Sequence, residues 1–232
     1  MIFPYQLIDL THTLDPQIPT WGGGCGFHHD IQLDYNDCES DDKFRVMKIK
    51  MHAGIGTHMD APSHCIPEGQ SVHHFDLNDC CMPCIMIDIS IHAHEHYSLT
   101  IEDLQHFEQH YGIIPANCCV LIRTGWSDFW DDPEKYRNHH VFPSISAKAA
   151  AFLLNRGVKA LGIDTLSPDR PQDGFKVHQL FLGAGKILIE NVTSLEKLPP
   201  IGSFVMIVPM KIKDATEAPV RLIGLLKSEA AH

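Results

Sequence analysis

Five short apolar runs constrain this chain most: residues 84–91, 119–123, 158–163, 187–190 and 204–208. Continuous runs of this length, bounded by polar or turn-forming residues, suit strands buried on both faces. Two helices are legible between them. Thr100 is placed to cap the first, with Asp103 three positions on, then Leu104, Phe107 and Tyr111, and Gly112 as the stop. The second begins near Ser144 or Ser146, runs through residues 149–154 and ends at Gly157. An order of strand, helix, strand, helix, strand predicts an α/β domain. No repeat or linker interrupts the chain, so residues 1–232 are expected to form one domain. The first 75 residues differ, with Gly22-Gly23-Gly24 and an alternating stretch over 44–51, and read as extended structure lining a site.

Composition removes several classes of function. A hydrophobic fraction of 44% over 232 residues is enough for a substantial core. Lys and Arg number 18 against 29 Asp and Glu, a net charge of −11, which argues against nucleic-acid or anionic-membrane binding. No apolar run approaches the roughly 20 residues needed to span a bilayer, and the N-terminus lacks a signal-peptide layout. The cytoplasm is therefore the expected compartment, with a small molecule as partner. Eight cysteines do not imply disulfides in a chain this large, and Cys81-Met82-Pro83-Cys84 lacks the second pair of a zinc site. Gly22-Gly23-Gly24 and Gly183-Ala184-Gly185 lack phosphate-loop spacing.

The chemistry concentrates in Gly56-Thr57-His58-Met59-Asp60-Ala61-Pro62-Ser63-His64. On an extended segment His58 and Asp60 project to the same face and can reach one ion. Imidazole nitrogen with carboxylate oxygen suits zinc or manganese, and iron also fits. Pro62 stiffens the turn that follows. His64 returns a third titratable group, suited to proton transfer near neutral pH.

This segment resembles the signature H-x-G-T-H-x-D-x-P-x-H of the cyclase family, which includes bacterial kynurenine formamidases and isatin hydrolase. Gly56, Thr57, His58, Asp60, Pro62 and His64 all match. Further resemblances follow in order along almost the whole chain: Asp9-Leu10-Thr11, the stretch 19–23, residues 120–126, residues 162–167, and His178 with Glu190 twelve positions later. The resemblance implies a mixed-sheet domain of swivelling β/β/α architecture and a homodimer or larger assembly. It also implies one or two divalent metals, zinc foremost. By position, His58, Asp60 and Glu190 would serve one metal, and Asp60, His178 and Glu190 a second. His64 would be the general acid/base, and Trp21 would pack against an aromatic substrate, with Trp126 or Phe27 as further aromatic wall. The family's formamidases convert N-formylkynurenine to kynurenine and formate, in tryptophan catabolism.

The chain departs from the signature at one position. The first histidine should stand four residues before His58, where this chain has Gly54. His52 lies two residues further back, roughly 7 Å along a strand, too far to substitute without a bulge. The first site is thus expected to lack a ligand, to complete its shell with water, or to recruit His28, His29, His73 or His74. A divalent ion lowers the pKa of bound water from 15.7 to about 7, which suits hydrolysis of a small amide, formamide, lactam or ester. Two other readings stay open. One is a ligand-binding descendant that has lost its working metal; the other is a metal-buffering protein, suggested by 17 histidines.

Overall fold

The computed structural model describes residues 3–228. The strands are β1 (Tyr5–Asp9), β2 (Phe27–Leu33), β3 (Val46–Met51), β4 (His58–Asp60), β5 (Cys81–Asp88), β6 (Ser98–Leu99), β7 (Cys119–Arg123), β8 (Ser144–Ile145), β9 (Ala160–Ile163), β10 (Ile187–Glu190), β11 (Ser203–Pro209) and β12 (Glu217–Lys227). The helices are α1 (Ile101–Tyr111), α2 (Pro133–Arg137), α3 (Ala147–Asn155) and α4 (Lys176–Gly183). Eight strands form one mixed sheet in the order β1-β12-β11-β5-β7-β9-β10-β4, and a further β12–β4 pairing curls it into a barrel-like ring. The run β5-β7-β9-β10 is parallel; the remaining pairings are antiparallel. This is the expected mixed-sheet α/β architecture. Among the described residues, no helix is long and apolar enough to cross a membrane.

The central strands are buried on both faces because two cores flank them. Met59, Leu121, Ile187, Ile189, Val205 and Leu222 pack on one side. On the other, Val120, Ile122, Leu161 and Leu188 meet Leu104, Ala150, Leu153 and Phe181 from the helices. A third cluster under the N-terminal loops holds Ile18, Phe27, Ile55, Trp126, Trp130 and Tyr136. Trp126 and Phe27 are therefore core residues rather than substrate wall, and Trp126 Nε1 donates to the Tyr136 carbonyl at 2.8 Å.

Several boundaries differ from the sequence reading, each for a local reason. The strand expected at 84–91 runs instead from Cys81 to Asp88. Pro83, without an N–H, reads as a break in sequence but is accommodated opposite Phe204. At the far end Asp88 accepts from Ser90 N at 2.9 Å and turns the chain. The alternating stretch 44–51 supplies β3, which pairs with β2 in a largely exposed two-stranded sheet. Helix α4 is preceded by Phe175, whose side chain offers no cap, and β12 contains Pro219 and Gly224; neither had a legible signal.

Helix α1 forms as its sequence dictates. Thr100 Oγ1 accepts from Asp103 N at 3.2 Å, and Asp103 Oδ2 accepts from Thr100 N at 2.8 Å. Leu104 and Phe107 are buried, and Gly112 ends the helix at φ 94°. Two orphan donors are satisfied reciprocally, a device worth about 0.5–2 kcal/mol. Thr100→Ala should therefore lower unfolding stability by about 1 kcal/mol, read as a lower urea midpoint with an unchanged slope.

Candidate active site

Strand β4 lies between β10 and β12, and the register sets the site. His58 sits opposite Glu190, and Asp60 opposite Glu217. Directly opposed residues on antiparallel strands share a face, as do His58 and Asp60 two apart. Met59 between them turns to the opposite core. Three adjacent strands thus aim an imidazole and three carboxylates into one space. Helix α4 brings His178 onto them.

Both imidazoles are held so that Nε2 faces the carboxylates. His58 Nδ1 donates to the Gly56 carbonyl at 2.9 Å. His58 Nε2 then lies 3.3 Å from Asp60 Oδ1 and 3.4 Å from Glu190 Oε2. His178 Nδ1 donates to Asp169 Oδ2 at 2.8 Å, leaving its Nε2 at 3.4 Å from Glu190 Oε1 and 3.6 Å from Asp60 Oδ2. Gly56 adopts φ +60°, which favours glycine, and its carbonyl also accepts from Asn191 Nδ2 at 2.9 Å. Thr57 Oγ1 donates to the Asn191 carbonyl at 2.6 Å, so the segments before β4 and after β10 are tied together.

The electrostatics call for positive charge. Asp60 is 1% exposed, and neither of its oxygens has a well-formed hydrogen bond despite the nearby imidazoles. Burial opposes a charge on His58, yet Asp60 and Glu190 outweigh it and hold the imidazole well above its usual range. The same contest at His178, with burial against Asp169, Asp60 and Glu190, ends with the pKa pushed up to about 12. His64 is raised mainly by Glu217, whose Oε2 lies 3.2 Å from Nδ1. Ligand atoms of His58, Asp60 and Glu217 lie within 4.8 Å of one another, as do those of Asp60, His178 and Glu190. Imidazole nitrogens and carboxylate oxygens of this kind fit a divalent cation, and the unpartnered Asp60 oxygens are where it would be held.

His58, His178, Glu190 and Glu217 line a pocket of about 520 Å³, together with Trp21, Leu166 and Phe175. Trp21 is 39% exposed and stacks on His140, with ring centroids 4.1 Å apart; Phe175 lies 5.9 Å away. His64 lines the same pocket, its ring centroid 5.8 Å from that of His178. Of the six residues singled out in sequence, Trp21, His58, His64, His178 and Glu190 line this cavity, and Asp60 is buried behind His58 and His178.

The spare histidines do not join them. His52 is exposed, its backbone N–H donating to the Gly26 carbonyl at 2.9 Å. His28 and His29 lie in the exposed β2, while His73 and His74 accept from Asp214 N and Ser71 N. Among the described residues, the groups of three His, Cys, Asp or Glu side chains with ligand atoms within 4.8 Å of one another are the two at this site.

Sequence reasoning passed over Glu217, Asp169 and Phe175. Glu217 belongs to no recognisable motif and meets the site only through the β12–β4 pairing. Asp169 precedes a helix that had no legible signal, so nothing in the sequence marked it. It accepts from Val177 N at 3.0 Å and His178 N at 2.9 Å while orienting the His178 ring.

The putative cyclase family pattern matches residues 8–170. The chain belongs to the cyclase family. Kynurenine formamidase of Bacillus cytotoxicus is 28% identical over 221 residues, covering 94% of this chain and 96% of that one. The Geobacillus thermodenitrificans kynurenine formamidase is 30% identical over 216 residues, covering 92% and 94%. Among solved structures, isatin hydrolase A from Ralstonia solanacearum superposes with a TM-score of 0.86 at 28% identity, covering 96% of this chain and 92% of that one. This cyclase-family chain is an enzyme, a metal-dependent hydrolase.

Asp169→Asn tests the support behind His178. Asparagine offers a single acceptor oxygen, and its amide N–H₂ would face N–H donors. Loss of such an orienting carboxylate typically costs 10–100-fold in metal affinity. A fall of that size in Mn²⁺ or Zn²⁺ affinity is expected, measured by competition with a chelating dye.

Proposed function

We propose that this chain is an amide hydrolase of the arylformamidase type, cleaving N-formylkynurenine to kynurenine and formate. One observation carries the reading: the buried, unpartnered Asp60 carboxylate lies against His58, His178, Glu190 and Glu217, and those four line a pocket together with His64, Trp21 and Phe175. The full-length likeness to two kynurenine formamidases supports this choice of substrate.

His58, Asp60, His178, Glu190 and Glu217 would hold a divalent cation, which when bound would supply Lewis acidity toward an amide carbonyl and water. The protein's own groups do the rest. Trp21 and Phe175 offer π-faces to the aryl ring of the substrate, orienting the formamide toward these groups. His64 Nδ1 is engaged by Glu217, which leaves Nε2 to exchange protons. It takes a proton from water as the new C–O bond forms, and returns it to the nitrogen as the C–N bond breaks. Glu217 raises the basicity of His64 and so favours the first of these transfers.

A second reading has a specific observation behind it, the fold likeness to isatin hydrolase A. Opening of a lactam fused to an aromatic ring uses the same proton transfers, but the product amine stays attached. Comparing kcat/KM on N-formylkynurenine and isatin separates the two. Turnover confined to isatin would move the assignment to lactam opening.

His64→Ala should retain its metal content while kcat falls about 10²–10⁴-fold, the usual worth of a positioned acid/base. Full activity in that variant would end the acid/base assignment. Trp21→Ala should mainly raise KM, because the ring contributes binding shared by ground and transition states.

A further inference from the structure

Gly54 stands where the resembled signature has its first histidine, and the structure shows what occupies the space. A Cβ built on Gly54 would overlap Glu217 Oε1 and come within 3.2 Å of both Glu217 Cδ and His58 Nε2. The Glu217 carboxylate thus fills the volume a side chain at 54 would enter, beside the nitrogen that a ligand there would join. It arrives from another strand: β12 pairs with β4 so that Glu217 is the cross-strand neighbour of Asp60. Its carboxylate is steadied by Thr216 Oγ1, which donates to Oε2 at 3.2 Å. Asp60 supplies the independent sign of a ligand, being buried with both oxygens unpartnered.

We propose that Glu217 is the ligand that replaces the missing histidine, completing a cation site of His58, Asp60 and Glu217 beside that of Asp60, His178 and Glu190. This rests on the metal-dependent reading of the same pocket. The exchange needs the glycine. With a side chain at 54 the carboxylate could not reach its place, and without Glu217 the first site would keep only His58 and Asp60 with whatever Glu190 shares. The replacement also exchanges a neutral imidazole for an anion, which favours a harder, more oxygen-loving cation such as Mn²⁺ at that site.

The test uses the full chain stripped with a chelator and titrated calorimetrically with Mn²⁺. Wild type is expected to take up two ions per chain, one for each group of ligands. Glu217→Ala should lose one of them and keep the other. Glu217→Gln, which preserves shape, should show the same site weakened while the melting of the stripped protein is unchanged. The double variant Gly54→His with Glu217→Ala should recover the lost ion, whereas Gly54→His alone should bind Mn²⁺ no better than wild type. Two ions of wild-type affinity in Glu217→Ala would overturn the proposal and leave the metal reading standing. Failure of the double variant to recover the ion would overturn the equivalence of positions 54 and 217. Absence of tightly held metal in wild type would sink the metal reading, and this proposal with it.

Discussion

A buried carboxylate costs several kcal/mol unless positive charge or donors meet it, and Asp60 is such a group, 1% exposed with no hydrogen bond to either oxygen. The surrounding architecture answers that demand. Two imidazoles point Nε2 at Asp60, and both are held at the opposite nitrogen, which donates to the Gly56 carbonyl in His58 and to Asp169 in His178. Each added carboxylate raises the need for cationic charge, and a divalent ion meets it more compactly than protonated imidazoles can. Folding and metal affinity are coupled here, since the strands that bring the acids together lose repulsion when the ion binds.

The short strand β4 carries this burden with three residues because both of its edges are paired. Its β10 edge supplies Glu190 and its β12 edge Glu217. Closure of the sheet through β12 is therefore part of the site and not only of the core. The loops around β4 are fixed by buried polar groups that lie outside the cluster. Tyr136 OH donates to Asn191 Oδ1 at 3.0 Å, and Asn191 in turn binds Gly56. Asp164 accepts from Thr124 N and Oγ1 and from Gly125 N, joining two segments that the resemblance had singled out separately.

How far the chain could be read in advance follows the range of each interaction. Helix α1 was legible to the residue because its cap, apolar stripe and stop lie within thirteen positions, Thr100 to Gly112. The strands at 119–123 and 187–190 were legible because burial on both faces leaves an unbroken apolar run. His58, Asp60 and His64 were legible as one local motif. Glu217 was not, because its role exists only through a pairing between strands some 157 positions apart in sequence. Trp126 misled for the opposite reason. An aromatic after a strand is compatible with core or rim, and only the third cluster beneath the N-terminal loops decides for core.

The departure at Gly54 is informative because position and function separate there. A metal ligand is specified by where its donor atom ends, not by which strand carries it. The volume beside His58 Nε2 is reached from the segment before β4 or from β12, and a side chain from one route excludes the other. The same carboxylate faces His64 through Oε2 while Oε1 points to the volume beside Gly54. One residue therefore links the ion's surroundings to the basicity of the group that moves protons. An imidazole arriving from position 54 would offer one free nitrogen, and would leave His64 without that partner. In this chain the tuning of metal and base are coupled by construction, so a change at Glu217 acts on both at once.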